Sequence, residues 1–298
     1  MMSARFLTVV LERAFNMRDG FGREIDYMRI SVIDSCNLNC YYCNPCDNNE
    51  HCHALNILSV KEVLCIVRAA TRLGIKHFRL TGGEPLLHPQ LDEMVLQIKK
   101  IPGVSSVSLT TNAVLLVQHA KWLKEAGIDS INVSLDTIEA SEYERITKKP
   151  LLEEVKHGIN AAIECGIRVK INVVLTPQTD VVALTRYVAK KGTDIRFIEM
   201  MPVGEGHTNG VEPYKKVIGT LSKLYGEPCR INTEKTKEIN SGNDKRKIPD
   251  NGPAEYYIFP ELGIRVGLIQ AIHGKFCDTC NRIRVTADGR LMPCLGSS

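Results

Sequence analysis

The chain has 298 residues, 44% hydrophobic and 24% charged, with a net charge of +4 at neutral pH. That length permits a large buried core, the apolar share excludes a disordered chain, and so small a charge gives no support to nucleic-acid binding. No apolar run approaches the ~20 residues that cross a bilayer, and the 11 cysteines, with no signal peptide visible, point to metal ligation in a reducing cytoplasm rather than to disulfides.

Residues 1–26 read as an N-terminal segment. Its apolar run 6–11, between Arg5 and Arg13, has a trace of a targeting peptide, but Glu12 favours an ordinary first helix or strand. From Tyr27 a unit repeats: a short β-branched run, a loop, then an amphipathic stretch. Strands are predicted at 28–33, 77–80, 105–109, 130–134, 168–175 and 195–198, and helices at 60–73, 91–100, 117–126, 152–165 and 181–191. Val63, Val67, Ala70 and Leu73 keep a helical period on one face, and Gly74, Gly127, Gly166 and Gly192 are placed to end helices in the left-handed conformation.

Such units imply a parallel sheet with right-handed crossovers, here a partial (β/α)6 TIM-like barrel over residues 27–205 in an α/β fold. Beyond it lies a C-terminal extension, 206–298. A helix is predicted at 213–225, an exposed loop at 230–253, and a hairpin from 256–259 and 264–269.

Six cysteines form two trios. Cys36, Cys40 and Cys43 have the spacing C-x3-C-x2-C, with Tyr41 and Tyr42 inside; Cys277, Cys280 and Cys294 have C-x2-C-x13-C. A four-iron cluster normally takes four cysteines, so three leave one iron open to a small molecule. A zinc loop is the alternative, at even odds for the second trio. Cys46, Cys52, Cys65, Cys165 and Cys229 have no comparable pattern, and Cys46 and Cys52, beside His51 and His53, read as loop residues. His88 and His273 read as structural.

Functional loops gather at the C-terminal edge of such a sheet. The cysteine loop, Gly82-Gly83-Glu84-Pro85, Thr111-Asn112, Ser134-Leu135-Asp136 and Glu199 to Pro202 all follow strands, so one rim is expected to collect the unusual polar residues. Gly82 and Gly83 read as positions where backbone meets a ligand. Asp136 and Glu199 are candidate proton donors or hydrogen-bond organisers. Arg29, Arg79, Lys170 and Arg196 sit in or beside apolar strands, where an unpaired charge is costly. Arg282 and Arg284 share one strand face. Cations so placed call for an anionic partner.

The first trio, Tyr27 to Val32, Arg79 to Leu86, Phe197 to Pro202 and above all Phe276 to Gly289 resemble radical S-adenosylmethionine (SAM) enzymes, specifically the MoaA-like GTP 3′,8-cyclase family of molybdenum cofactor biosynthesis. The resemblance implies two [4Fe-4S] clusters, one on each trio. SAM would bind the first, near Tyr42, Gly83, Glu84, Thr111, Asn112, Ser134, Asn172 and Met201. GTP would bind the second through guanine, with its phosphates near Arg29, Arg79, Thr110, Lys170, Arg196, Arg282 and Arg284; Arg79 could instead serve SAM. The implied lyase reaction moves the C3′ hydrogen and joins C3′ to C8, with a flavodoxin or ferredoxin as reductant and a homodimer left open. Another nucleotide, a peptide substrate or a non-enzymatic iron–sulfur or zinc protein are the rivals.

The sequence departs from the family in four places. His77 stands for a usual lysine, weakening a phosphate contact, and Ala113 stands for a usual glycine. The stretch 44–53 lacks the usual acidic pattern, and the sequence stops at Ser298, where the family continues to a Gly-Gly tail that helps complete the reaction.

Overall fold

A computed structural model describes residues 17–43, 56–202, 210–231 and 252–294. The apolar run 6–11, most of the predicted loop 230–253, and Cys46, His51, Cys52 and His53 lie outside the described residues.

The predicted units are present. Strands β1 (Tyr27–Ser31), β2 (His77–Thr81), β3 (Ser106–Thr111), β4 (Ser130–Ser134), β5 (Val169–Val174) and β6 (Asp194–Ile198) are neighbours in chain order, all parallel. Helices α1 (Val60–Arg72), α2 (Leu91–Lys99), α3 (Leu116–Glu125), α5 (Leu152–Glu164) and α6 (Val181–Lys190) connect them. One helix escaped prediction: α4 (Ala140–Thr147), whose C-terminal turn holds the first cysteine loop. Gly74, Gly127, Gly166 and Gly192 have φ values of +92°, +87°, +69° and +63°, as their helix-ending positions require. Ser59 and Glu62 close a reciprocal capping box on α1.

Each inner strand alternates polar and apolar residues, with the apolar set facing the helices. Phe78, Leu80, Val107, Leu109, Ile131 and Val133 are fully buried and belong to one core with Val63, Val67, Met94 and Ile98 from α1 and α2. Each such side chain contributes ~1.5–3 kcal/mol on burial. The polar set, including Tyr27, Arg29, Arg79, Asn132, Lys170 and Arg196, is thereby turned inside the barrel.

The C-terminal segment is woven into the same sheet. After a π-helical turn at Tyr214–Ile218, α7 (Gly219–Tyr225) leads to β7 (Cys229–Ile231), β8 (Glu255–Ile258) and β9 (Arg265–Ile269). β8 and β9 form the predicted hairpin, and β9 pairs parallel with β6. β10 (Arg282–Val285) crosses to the other edge and pairs parallel with β1, with β11 (Leu291–Met292) antiparallel outside it. The order is therefore β11-β10-β1-β2-β3-β4-β5-β6-β9-β8-β7, so the extension lengthens the six-strand sheet at both edges.

Candidate functional site

The first cysteine loop leaves β1 at the C-terminal end of the sheet. Its backbone is held on two sides: Gly83 and Glu84 donate to the carbonyls of Ile33 and Ser35, both at 2.8 Å, while Asn39 and Tyr41 donate to Thr147 and Ile146 of α4 at 3.0 and 3.1 Å. A side chain on Gly83 would place its Cβ 2.2 Å from the Ser35 carbonyl oxygen, and one on Gly82 would lie 2.5 Å from that of Ile33. The glycine pair therefore admits the cysteine loop's own backbone.

Two buried carboxylates fix this end. Glu84, 1% exposed, accepts from Leu86 N–H, from the Thr111 hydroxyl at 2.7 Å and from Asn112 N–H at 2.7 Å. Burial pushes its pKa up to about 7. Thr111 in turn accepts from Ala113 N–H. Asn112, so positioned, donates to Asn37 at 2.7 Å and to the Cys36 sulfur at 3.8 Å. Asp136 accepts from the Tyr42 hydroxyl and from Val174 N–H at 2.7 Å, and burial lifts it to about 6. Both carboxylates organise hydrogen bonds. A small cleft brings Cys40, Tyr42, Asn112, Ser134 and Asp136 together, while Met201 lies just beyond β6.

The three thiols of this loop act on one another. Cys40 is pushed up to about 12, first by burial and then by Asp136, Cys43 and Cys36. Cys36 and Cys43 are raised chiefly by burial as well. Thiols so placed become good ligands only when a cation compensates the thiolates. Among the described residues, no three His, Cys, Asp or Glu side chains converge on a single ion. Three thiol donors in one short loop suit an iron–sulfur cluster.

The second trio lies at the opposite end. Cys277–Thr279 makes one turn just before β10, and Tyr27 N–H at the start of β1 donates to the Asn281 carbonyl. Arg284 pairs with Met292 in the antiparallel β10–β11 ladder, so Cys294 returns to the level of Arg282. Cys294 and Cys280 both act electrostatically on Arg284. This corrects the expectation of a single collecting rim. Loops mark the C-terminal rim, but a strand entering from the extension brings its own cysteines to the N-terminal rim.

Between the two ends runs a cavity of about 430 Å³, a volume typical of small-molecule sites. It collects Arg29, Arg79, Lys170, Asn172, Arg196 and Arg282, six of the residues singled out from sequence. Register places Arg284, Arg29 and Arg79 side by side on β10, β1 and β2. Burial, then Arg284 and Arg79, pull Arg29 down to about 9, and burial lowers Arg282 and Arg284. Arg79 donates to Thr110 at 3.3 Å and to the Tyr27 hydroxyl, and Arg196 donates to Asn172 at 3.0 Å. Asn172 thus joins the cationic group rather than the small cleft. Gly267 makes room for this, since a Cβ there would lie 2.8 Å from Arg196 Cγ and 2.9 Å from the Tyr256 ring.

Among the described residues no carboxylate pairs with Arg29, Arg79, Arg196 or Arg284, and Arg29 Nε and Arg196 Nη2 are buried without a partner. Arg196 is buried and Arg29, Arg79 and Arg284 are half-buried, and guanidiniums at this density without carboxylate partners suit a polyanion.

Sequence reasoning passed over Tyr27 as a site residue. Its ring stacks on His77 at 6.4 Å and receives Arg79 and Arg282 at 5.9 and 5.5 Å, and although burial raises its phenol, Arg79 and Arg29 bring it below the ordinary value. The signal was present: Tyr27 and His77 stand two before Arg29 and Arg79, on the same strand faces. His77 Nδ1 lies 2.8 Å from Ser106 Oγ. His88 is tied to the Leu58 carbonyl, and His273 to Glu199, which also accepts from Ile272 and His273 N–H and so organises the loop after β9. His88 and His273 are thus each held by local hydrogen bonds.

Known families match the chain along most of its length. Residues 30–184 match the radical SAM superfamily and residues 193–298 match Molybdenum Cofactor Synthesis C, a boundary just ahead of β6 in the continuous sheet. A GTP 3′,8-cyclase of Clostridium perfringens is 37% identical over 282 residues, covering 94% of this chain and 83% of the relative. One from Pelotomaculum thermopropionicum is 38% identical over 286 residues, covering 94% and 84%. Among solved structures, Streptococcus suis SuiB bound to S-adenosylmethionine superposes with a TM-score of 0.63 at 15% identity, over 91% of this chain and 60% of that one. The last likeness is one of fold.

Proposed function

The chain belongs to the radical SAM superfamily and, within it, to the family of the GTP 3′,8-cyclases, and we propose that it converts GTP to 3′,8-cyclo-7,8-dihydro-GTP, the first step of molybdopterin synthesis. The observation that carries this reading is the cationic cavity strung between two cysteine trios.

Cys36, Cys40 and Cys43 would hold one [4Fe-4S] cluster and Cys277, Cys280 and Cys294 the other. With SAM bound there, the first cluster would supply the radical chemistry that abstracts the ribose C3′ hydrogen. The protein's part is placement. Asn112 and Ser134 line the SAM side, fixed through Thr111 and Glu84. Tyr42, held by Asp136, sets the height of the cysteine loop. Arg29, Arg79, Lys170, Arg196, Arg282 and Arg284 grip the phosphates, with the Thr110 hydroxyl steadying Arg79. A triphosphate so gripped cannot swing its ribose away from the radical source, which is catalysis by positioning. Guanine reaches toward the second trio beyond Arg282 and Arg284. A low-potential flavodoxin- or ferredoxin-type donor supplies electrons in the cytoplasm. No helix among the described residues is long and apolar enough to cross a membrane.

The test is anaerobic incubation of reconstituted protein with SAM, dithionite and GTP, followed by mass spectrometry. Deoxyadenosine together with a GTP isomer is expected. Deoxyadenosine without a GTP-derived product would move the substrate to another phosphorylated molecule, and neither product would sink the radical reading.

A further inference from the structure

Arg23 lies outside the cavity, and the reaction outlined above does not use it. It belongs to a short hairpin before β1, closed by the Arg18–Glu24 bridge and by Ile25 N–H donating to the Met17 carbonyl. Asp19 is the pivot of that hairpin. One carboxylate oxygen accepts from the N–H groups of Phe21 and Arg23, both at 3.0 Å, and the other accepts from Arg23 Nε at 2.7 Å. The guanidinium is thus gripped on one edge.

Its remaining edge reaches across 254 residues of sequence: Arg23 Nη1 donates to the carbonyl of Cys277 at 2.7 Å. Cys280 and Cys277 both act electrostatically on the guanidinium. The Phe21 ring covers it at 5.4 Å. An exposed Asp–Arg pair alone adds little, at most ~1 kcal/mol. A surface pair that only closed its hairpin would have no use for a third bond to the backbone of a cysteine ligand. A planar fork makes both contacts in a fixed geometry, whereas the ammonium of lysine is a single point charge on a flexible stem.

We propose that the Asp19–Arg23 pair is a clasp on the C-terminal trio. Asp19 fixes the guanidinium, which pins the Cys277 carbonyl and keeps one permanent positive charge beside Cys277 and Cys280. The clasp slows metal loss from the trio, and its charge raises the reduction potential of the cluster held there, since cluster potentials follow local charge and hydrogen bonding. Arg23 is a positioning residue, acting through Cys277. The inference takes from the proposed function only that this trio carries a metal, and none of its readouts requires GTP or turnover.

The experiment uses the full-length chain with Cys36, Cys40 and Cys43 replaced by alanine, so that spectroscopy reads the second trio alone. Parent, Arg23→Gln, Arg23→Lys and Asp19→Asn are reconstituted anaerobically. Metal content, half-life against a chelator and midpoint potential from EPR-monitored reduction are then measured. The glutamine variant is expected to lose metal several-fold faster and to show a more negative potential. The lysine variant keeps the potential close to the parent's while losing metal faster, and Asp19→Asn loses metal at a rate between parent and glutamine without a more negative potential. Equal half-lives and equal potentials in parent and Arg23→Gln would overturn the clasp. If Arg23→Gln loads no metal, Arg23→Lys decides. Recovery of metal supports the clasp, and a lysine variant equally empty, with unchanged thermal unfolding, overturns it. A parent that takes up zinc but no iron would sink the cluster reading alone, since the chelator half-lives of the zinc forms still read the clasp.

Discussion

At one end of the barrel the cysteine loop lies against two buried carboxylates, Glu84 and Asp136; at the other, Cys277, Cys280 and Cys294 lie among Arg23, Arg282 and Arg284. Both ends offer three thiols, yet the charge around them has opposite sign. Negative neighbours hold a cluster's potential down and positive ones lift it. The carboxylate end suits an electron donor to a reluctant acceptor such as a sulfonium. The arginine end suits a Lewis-acidic partner to an anionic substrate.

The contrast is broken most completely at the cysteines. Cys40→Ala should abolish deoxyadenosine formation under dithionite. Cys294→Ala should spare a residual, uncoupled SAM cleavage while removing the GTP-derived product, and mass spectrometry reads both. Loss of SAM cleavage in both variants would erase the division of labour.

Next comes Arg29→Leu. Losing one charge-assisted contact costs about 2–3 kcal/mol, or roughly 30- to 150-fold in GTP affinity by calorimetry. The free protein should nevertheless melt higher, because the variant removes a buried cation crowded by Arg284 and Arg79. A lower melting temperature would mean that the arginine cluster is already neutralised without substrate.

Glu84→Gln probes the other end. An amide cannot accept all three hydrogen bonds, so about 1–3 kcal/mol of stability should be lost. Burial lifts the folded carboxyl from 4.5 to about 7. The fold therefore holds this proton more tightly than the unfolded chain does, and stability falls as pH rises between those values. Glutamine should flatten that slope in urea titrations across the same window. An unchanged slope would shift the titration to Asp136, raised to about 6.

The smallest effect is expected at Ala113. It is fully buried with φ +66°, a left-handed conformation that costs a residue bearing a Cβ. Ala113→Gly should add about 1 kcal/mol in denaturant unfolding. Helix α5 packs its Gly158 against the Ala113 carbonyl, where a Cβ would come within 2.3 Å, so Gly158→Ala should destabilise far more than Ala113→Gly helps.

The sheet was legible because each strand alternates and most helices end at glycine. The cysteine spacing and the strand-borne arginines made much of the site legible too. Helix α4 escaped because Ala140–Thr147 has a short apolar face, completed by Tyr143 and Ile146 packing inward. The strand pairing that seats the second trio escaped for another reason. Nothing local in Arg282–Val285 says that it will pair with β1, more than two hundred residues earlier. Asp136 and Glu199 read equally as proton donors or hydrogen-bond organisers, because sequence cannot reveal how many N–H and O–H groups a carboxylate will satisfy. The inward face of the barrel could have been read further: polar residues at every second position from Tyr27 to Arg196 are the reverse of a sheet with a dry interior.

The slot beside β1 is filled by β10, and the slot beside β6 by β9, both from the last third of the chain. During synthesis the first six strands leave the ribosome with two naked edges, each a row of unsatisfied amides open to other nascent chains. Neither edge is closed until the C-terminal strands emerge, and the arginine row on β1 and β2 lacks its third member until then. A polyanion present at that moment would act as a template for closure, so cells rich in nucleoside triphosphates should yield more folded protein than depleted ones.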